Sequence, residues 1–190
     1  EELDCINIKL GQKTAGMHFA KKFKVLLEHM GIANPDTSYI VPSCQGAEDR
    51  VGSWWPSNKT LCFNPYGSGT SRCFSVEKTI ALINTMLDSS NYNICLLYPP
   101  GRERDVERVL SHVCDPTRVV SDHEKPCLAA LFAQTRHCAG MVSVDTATVH
   151  IATGLNKPVL GIYNDNFGMP ENVEWHPNNP RSSVIYAETR

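Results

Sequence analysis

No apolar run in this sequence approaches the roughly 18 residues that a membrane-spanning helix needs. Charge of one sign is also lacking: eighteen Lys+Arg face twenty Asp+Glu, a formal charge of −2, which speaks against a dedicated nucleic-acid binder. The eight cysteines, at 5, 44, 62, 73, 95, 114, 127 and 138, include no C-x-x-C pair, so zinc-ribbon and thioredoxin-like readings find no support. The seven histidines show neither H-x-x-x-H nor H-E-x-x-H spacing, and no metal site is expected. A Gly-x-Ser-x-Gly elbow and a Gly-Lys-Ser/Thr phosphate loop are missing as well. The start, Glu1-Glu2-Leu3-Asp4, has neither an initiator Met nor signal-peptide character, and the expectation is a piece of something longer.

What is present is an ordinary globular chain. Its 190 residues are 42% hydrophobic and 20% charged, enough for one domain with a sizeable core and an appended arm. Cys62 and Cys95 sit inside the apolar runs Leu61-Cys62-Phe63 and Ile94-Cys95-Leu96. They are expected to be buried, reduced thiols in a cytosolic protein.

Along the chain, Met17, Ala20, Phe23, Leu27 and Met30 recur at helical steps up to Gly31, predicting a helix over 14–30 with a glycine C-cap. Residues 32–58 are rich in Pro, Ser, Asp and Gly and read as a connecting stretch with a short strand at 38–41. Then strands and helices alternate. Strands are expected at 60–64, 93–98, 118–120, 140–144, 159–163 and 183–186, and helices at 76–87, 104–113, 128–135 and 146–155. Continuously apolar strands alternating with helices imply an α/β fold: a Rossmann-like, mostly parallel sheet with helices on both faces. Ligands of such sheets bind beyond the carboxyl ends of the strands.

Two of those loops suit an anion. In Asn64-Pro65-Tyr66-Gly67-Ser68-Gly69-Thr70-Ser71-Arg72 the glycines permit close backbone approach. Ser68, Thr70 and Ser71 offer hydroxyls and Arg72 a permanent cation. Gly67-x-Gly69-x-x-Arg72 lacks the third glycine of a dinucleotide fingerprint, which disfavours a NAD-dependent dehydrogenase. In Val144-Asp145-Thr146-Ala147-Thr148-Val149-His150, Asp145 or Thr146 is expected to cap a helix whose free N–H groups form an anion site. His150 stands one turn further on. The turn Tyr98-Pro99-Pro100-Gly101, with Pro126-Cys127-Leu128, offers rigid, partly apolar walls for a flat base. Asn164-Asp165-Asn166 carries one carboxylate and reads as a solvated loop. Trp175-His176-Pro177 reads as a packing anchor.

The stretch Asp145-Thr146-Ala147-Thr148-Val149-His150, followed by Leu155-Asn156-Lys157-Pro158-Val159, resembles the signature of the family-nine glycosyltransferases, the bacterial heptosyltransferases of lipopolysaccharide core assembly. That signature runs Asp-Ser/Thr-Gly-x-x-His, small residues, then Leu-Gly-Lys-Pro and an apolar strand. Phe63-Asn64-Pro65 through Arg72 is similar to the family's Asn-Pro-Gly/Ala-Ser loop. The resemblance implies the C-terminal half of a GT-B fold: residues 1–58 as the inter-domain helix and connector, and 59–190 as the nucleotide-sugar (donor) binding domain.

By the same resemblance, Ser68, Gly69, Thr70, Ser71 and Arg72 hold the diphosphate of an ADP-sugar such as ADP-heptose. Asp145, Thr146 and the backbone at Ala147 bind the diphosphate and sugar, with His150 behind them. Tyr98 and Leu128 flank the adenine. No cofactor is required, because Arg72 and a helix N-terminus can stabilise the departing diphosphate. The acceptor is the lipopolysaccharide core, met through an N-terminal domain that also carries the general base. The location implied is the cytoplasm, with peripheral contact at the inner membrane and no nucleic-acid partner. Ala147 departs from the family glycine. It motivates one rival, a non-catalytic nucleotide- or partner-binding module of the same fold. A second rival is another GT-B nucleotide-sugar enzyme, such as an epimerase.

Overall fold

The computed structural model describes residues 14–124, 126–164 and 171–187. They fall into two compact units, one holding residues up to 38 together with those up to 176 that follow the sheet's fifth strand, the other the rest.

The smaller unit contains helices α1 (Phe19–His29) and α7 (Glu171–Glu174). α1 begins later than the sequence periodicity suggests, because residues 14–17 form a turn in which Met17 N–H donates to the Thr14 carbonyl at 3.0 Å. The N-cap is His18. Its Nδ1 accepts from Ala20 N–H at 3.1 Å, and its Nε2 donates to the His176 carbonyl at 2.8 Å. The bond that Nδ1 accepts needs the neutral ring, whereas Nε2 can donate in either protonation state. Burial, opposed by the His176 carbonyl, lowers the pKa of His18 below 6.5. Trp175 stacks on Phe19 at 4.3 Å between ring centroids, and Lys22 pairs with Glu174. At the far end, Gly31 takes φ +87° and donates to the Glu28 carbonyl at 3.0 Å while Ile32 reaches back to Leu27 at 3.0 Å. This is the expected glycine C-cap.

The larger unit is built on a parallel sheet of six strands: β1 (Thr60–Asn64), β2 (Asn93–Leu96), β3 (Val119–Val120), β4 (Gly140–Val144), β5 (Val159–Asn164) and β6 (Ser182–Ala187). Their order is β3-β2-β1-β4-β5-β6, every neighbouring pair parallel. The connecting helices are α3 (Val76–Ser89), α4 (Glu103–Leu110), α5 (Leu128–His137) and α6 (Ala147–Gly154). Side chains alternate between two cores, as the pleat requires. Phe63, Ile94, Leu96 and Val119 pack with Ile83 and Leu87 of α3 and Val106 and Val109 of α4. Cys62, Cys95, Met141 and Val159 pack with Val149 and Ala152 of α6, with Leu131 of α5 against them. Burial raises the Cys62 thiol well above its ordinary value, with Cys138 and Cys95 adding to the effect.

Two expectations for the connecting stretch need correction. Residues 38–41 form no strand; they lie extended against α6. A Cβ on Gly154 would come within 2.8 Å of Tyr39 Cβ and 2.9 Å of Val41 Cγ2, and Arg136 Nη2 donates to the Val41 carbonyl at 2.7 Å. Residues 45–54, expected to be irregular, form a helix, α2 (Gln45–Trp54). Its glycines and serine are poor helix formers. Tertiary bonds hold it instead: Glu48 pairs with Arg136 at 2.9 Å and Arg50 with Asp122 at 2.7 Å, while Trp54 and Trp55 pack on the core.

Candidate functional site

The strand order reverses between β1 and β4, so the loops leaving these two strands diverge and open a crevice. The β1 loop is closed by Phe74 N–H donating to the Pro65 carbonyl at 3.0 Å, and Thr70–Arg72 makes one 3₁₀ turn. Gly67 serves this loop rather than a ligand: a Cβ there would lie 2.5 Å from Arg72 Cβ and 2.9 Å from the Arg72 carbonyl oxygen. Gly69 faces open space. The end of β5 ties the loop down, with Asn164 Nδ2 donating to the Ser71 carbonyl at 3.0 Å. Asp165 and Asn166 lie outside the described residues.

The β4 loop runs straight into α6. Thr146 is the N-cap by backbone conformation, but no side chain caps the helix, contrary to expectation. The Asp145 carboxylate turns instead to Arg72, with Nη1 3.2 Å from Oδ2. Burial raises the pKa of Asp145, and Arg72 offsets part of that rise.

Beneath both loops lies a buried polar network that the sequence did not reveal. Asn64, the last residue of β1, is 5% exposed. Its Nδ2 donates to the Tyr66 carbonyl and to Thr148 Oγ1, each at 3.1 Å, and its Oδ1 accepts from Tyr66 N–H at 3.2 Å. Ser143 Oγ lies 2.6 Å from Thr148 Oγ1. Asn64 thereby joins the β1 loop to the first turn of α6. The available signal was a pair of polar residues, Asn64 and Ser143, inside otherwise apolar strands.

Above the network is a cleft of about 220 Å³, lined among others by Tyr66, Gly67, Ser68, Tyr98, Thr146 and Ala147. It shares the lining residues Leu97, Tyr98, Pro99 and Leu131 with a second, apolar cleft of about 310 Å³, which Pro100, Pro126, Cys127 and Leu128 also line. Tyr98 OH donates to the Asp122 carbonyl at 2.7 Å. The Asp122 carboxylate accepts a bidentate pair from Arg50 at 2.7 and 2.8 Å and a bond from Gln134 Nε2 at 3.1 Å. Burial is the largest single influence on the pKa of Asp122 and acts to raise it, but the Arg50 hydrogen bonds, the Glu124 N–H and the charges of Arg50 and His123 together outweigh it, and the net shift is downward. Asp122 and Arg50 brace the apolar cleft, and neither was singled out from the sequence.

The predicted residues thus divide. Ser68, Thr146 and Ala147 line the first cleft, Leu128 the second and Tyr98 both. Gly69, Thr70, Ser71 and Arg72 stand exposed and line neither cleft, with Arg72 and Asp145 paired. His150 lines neither cleft; its Nδ1 is 3.4 Å from Tyr39 OH, with the rings edge to face. Among the described residues no three His, Cys, Asp or Glu side chains are grouped to hold a metal, and no helix is long and apolar enough to cross a membrane.

No curated protein matches the sequence. Solved structures match the fold. A glycosyltransferase family 9 protein from Veillonella parvula aligns with a TM-score of 0.72 at 15% identity, over 91% of this chain and 49% of that one. E. coli heptosyltransferase WaaC, solved with ADP, gives 0.63 at 16% identity over 88% and 49%. E. coli ADP-heptose lps heptosyltransferase II gives 0.63 at 15% over 81% and 47%. The chain therefore spans about half the length of these proteins. The family description that matches the sequence itself is "Glycosyltransferase family 9 (heptosyltransferase)", over residues 7–190, and with that coverage the chain belongs to glycosyltransferase family 9.

Proposed function

We propose that this chain is the donor-binding half of a heptosyltransferase and that its cleft holds an ADP-sugar such as ADP-heptose. The observation that carries the reading is the adjacency of the two clefts, whose linings share Leu97, Tyr98, Pro99 and Leu131. At the carboxyl ends of the strands, an apolar slot suited to a flat base stands beside a smaller cleft that Ser68, Thr146 and the N-terminus of α6 supply with polar groups. A nucleoside diphosphate has this same polarity along its length.

The base lies between Tyr98-Pro99-Pro100 and Leu128. The diphosphate lies against Ser68 and the first amides of α6, where the helix dipole and free N–H groups favour negative charge. Arg72 joins it by exchanging Asp145 for a phosphate oxygen, and Asp145 then turns to the sugar hydroxyls. These groups stabilise the diphosphate as it departs, and the charge is already in place before bond breaking. We assign no general base to this chain; the acceptor, a lipopolysaccharide core, and its activating base belong to an N-terminal domain. Residues 1–58 form the inter-domain helix and connector of that arrangement, and 59–190 the donor domain. The enzyme works in the cytoplasm, with peripheral contact at the inner membrane, and this half alone transfers little.

The test is calorimetric titration with ADP, UDP and GDP. ADP binds selectively, and Arg72→Ala weakens it by about 1.5–3 kcal/mol, the scale of a charged hydrogen bond, toward the lower figure because the side chain is 46% exposed. Equal affinity for all three nucleotides, or an unchanged Arg72→Ala variant, refutes the reading. A second reading, a non-catalytic module, is favoured by the exposed Ala147 at the cleft. It predicts that Ala147→Gly in the complete protein restores no transfer.

A further inference from the structure

The loop after β2 carries a cation that the reading above leaves unused. Arg102 follows Tyr98-Pro99-Pro100-Gly101, and its backbone N–H closes the turn onto the Pro99 carbonyl at 3.3 Å. Its guanidinium carbon stands 5.4 Å from the centroid of the Tyr66 ring. Tyr66 belongs to the β1 loop and lines the smaller cleft, the chamber in which the diphosphate is placed above, with Ser68 and Thr146. The guanidinium is therefore one aromatic ring from the chamber. Its second partner is Asp105, with Nη1 2.9 Å from Oδ2, in a pair whose side chains are 41% and 30% exposed.

Neither partner holds it strongly. A solvent-exposed ion pair three residues apart on a helix contributes little, and a cation–π contact at a partly exposed site is similarly modest. Arg72, on the β1 loop, is likewise occupied by a carboxylate, Asp145. Two of the loops that line the chamber thus each carry an arginine resting on an acid. A diphosphate brings more negative charge than Arg72 alone can balance, and a planar guanidinium offers paired donors to phosphate oxygens.

We propose that Arg102 is a second cationic arm of this site, which exchanges Asp105 for the diphosphate while its guanidinium stays over the Tyr66 ring. The proposal rests on the reading of the cleft as a nucleoside-diphosphate site. Two loops then each contribute a cation to the ligand, Arg72 from the β1 loop and Arg102 from the β2 loop.

The test titrates the 190-residue chain, Arg102→Gln and Asp105→Asn with ADP and, separately, with adenosine, followed by NMR. Arg102→Gln is expected to weaken ADP about tenfold, the loss of one charge-assisted contact, and to leave adenosine within about twofold. Asp105→Asn, which releases the arm, binds ADP as tightly as the parent chain or more tightly. If Arg102→Gln weakens ADP and adenosine equally, Arg102 only shapes the loop and the proposal fails. It fails equally if ADP affinity is unchanged in Arg102→Gln, or if Asp105→Asn loses as much ADP affinity as Arg102→Gln. A parent chain that binds neither ligand overturns the donor-site reading itself, an outcome distinct from all of these.

Discussion

Replacing Asn64 tests whether one buried amide holds the two halves of the cleft together. In Asn64→Ala three hydrogen bonds of 3.1–3.2 Å disappear, those to the Tyr66 carbonyl, the Tyr66 N–H and Thr148 Oγ1, together with a longer one to Ser143 Oγ at 3.4 Å. At about 1 kcal/mol net for each the loss is about 3 kcal/mol. Thr148 keeps Ser143 at 2.6 Å, which lessens the cost, whereas the Tyr66 peptide groups are left in a buried position, which increases it. The expectation is therefore a loss of about 2–4 kcal/mol. For a chain of this size that shifts the melting midpoint by roughly 2–4 °C per kcal/mol. Asn64→Asp should be worse than alanine. A carboxylate keeps an acceptor for Tyr66 N–H but sets negative oxygen against the Tyr66 carbonyl where an N–H had donated, and it is buried at 5% exposure. Urea unfolding of the three proteins at neutral pH measures both differences. An alanine variant within about 0.5 kcal/mol of the parent, the range of ordinary surface substitutions, or an aspartate variant more stable than alanine, refutes the network as a source of stability.

Three further outcomes follow from the geometry. Gly67→Ala places a Cβ 2.5 Å from Arg72 Cβ; overpacking of this kind costs about 1–3 kcal/mol, and ADP affinity measured by calorimetry should fall with it as the loop opens. Lys157→Met removes an ammonium that donates to the Arg136 and Cys138 carbonyls at 2.5 and 2.8 Å, at the end of α5; a loss of about 1.5–3 kcal/mol is expected in urea unfolding, and a neutral result would assign the motif lysine some other role. His18 has a folded pKa below its unfolded value near 6.5, so the unfolded chain binds the extra proton first. The stability it supports is complete above about pH 6.5 and declines as the pH falls from there through the folded value. Unfolding followed by pH should show this acid-side decline in the parent and less of it in His18→Asn, which can still cap the helix.

Much of the fold was legible because its strands are short apolar runs bounded by turn residues. The expected strands at 60–64 and 140–144 are β1 and β4 to the residue. The β3 expectation was one residue long at its start, where Arg118 belongs to a 3₁₀ turn. α2 was not legible, since what holds it is Glu48 with Arg136 and Arg50 with Asp122, partners distant in sequence. The stretch 38–41 looked like a strand because Tyr39, Ile40 and Val41 favour extended backbone. Extended it is, but its neighbours are helix side chains. The loops of the cleft were legible from the rule that parallel sheets bind ligands at strand ends. The pairing of Arg72 with Asp145 and the Asn64 network were not. They depend on β1 and β4 being neighbours, and Asn64 meets Thr148 across 84 residues of sequence.

The two places where the chain departs from the glycosyltransferase signature have different physical weight. Asn156 stands where the signature has glycine, at φ +53°, directly after the C-cap of α6. Asparagine tolerates the left-handed region better than other residues with a Cβ, so the helix still ends there and Lys157 still reaches the α5 carbonyls. The fold requirement behind that glycine is met by another residue. Ala147 is a different case. It is the first residue of α6, and among the described residues the positive-φ positions that are not glycine are Asn34 and Asn156. Alanine therefore costs the backbone nothing, and the motif's glycine was not serving the fold at this position. What alanine changes is the space in front of the helix, where the residue is exposed and lines the smaller cleft. Any functional divergence at Ala147 must therefore appear in ligand clearance, with stability unaffected. Ala147→Gly should lower stability by no more than the helix-propensity difference, about 0.5–1 kcal/mol. Its effect on nucleotide affinity then reads the crowding directly: tighter ADP binding in the glycine variant identifies a methyl group in the diphosphate's way, and unchanged binding shows that the diphosphate does not approach that residue.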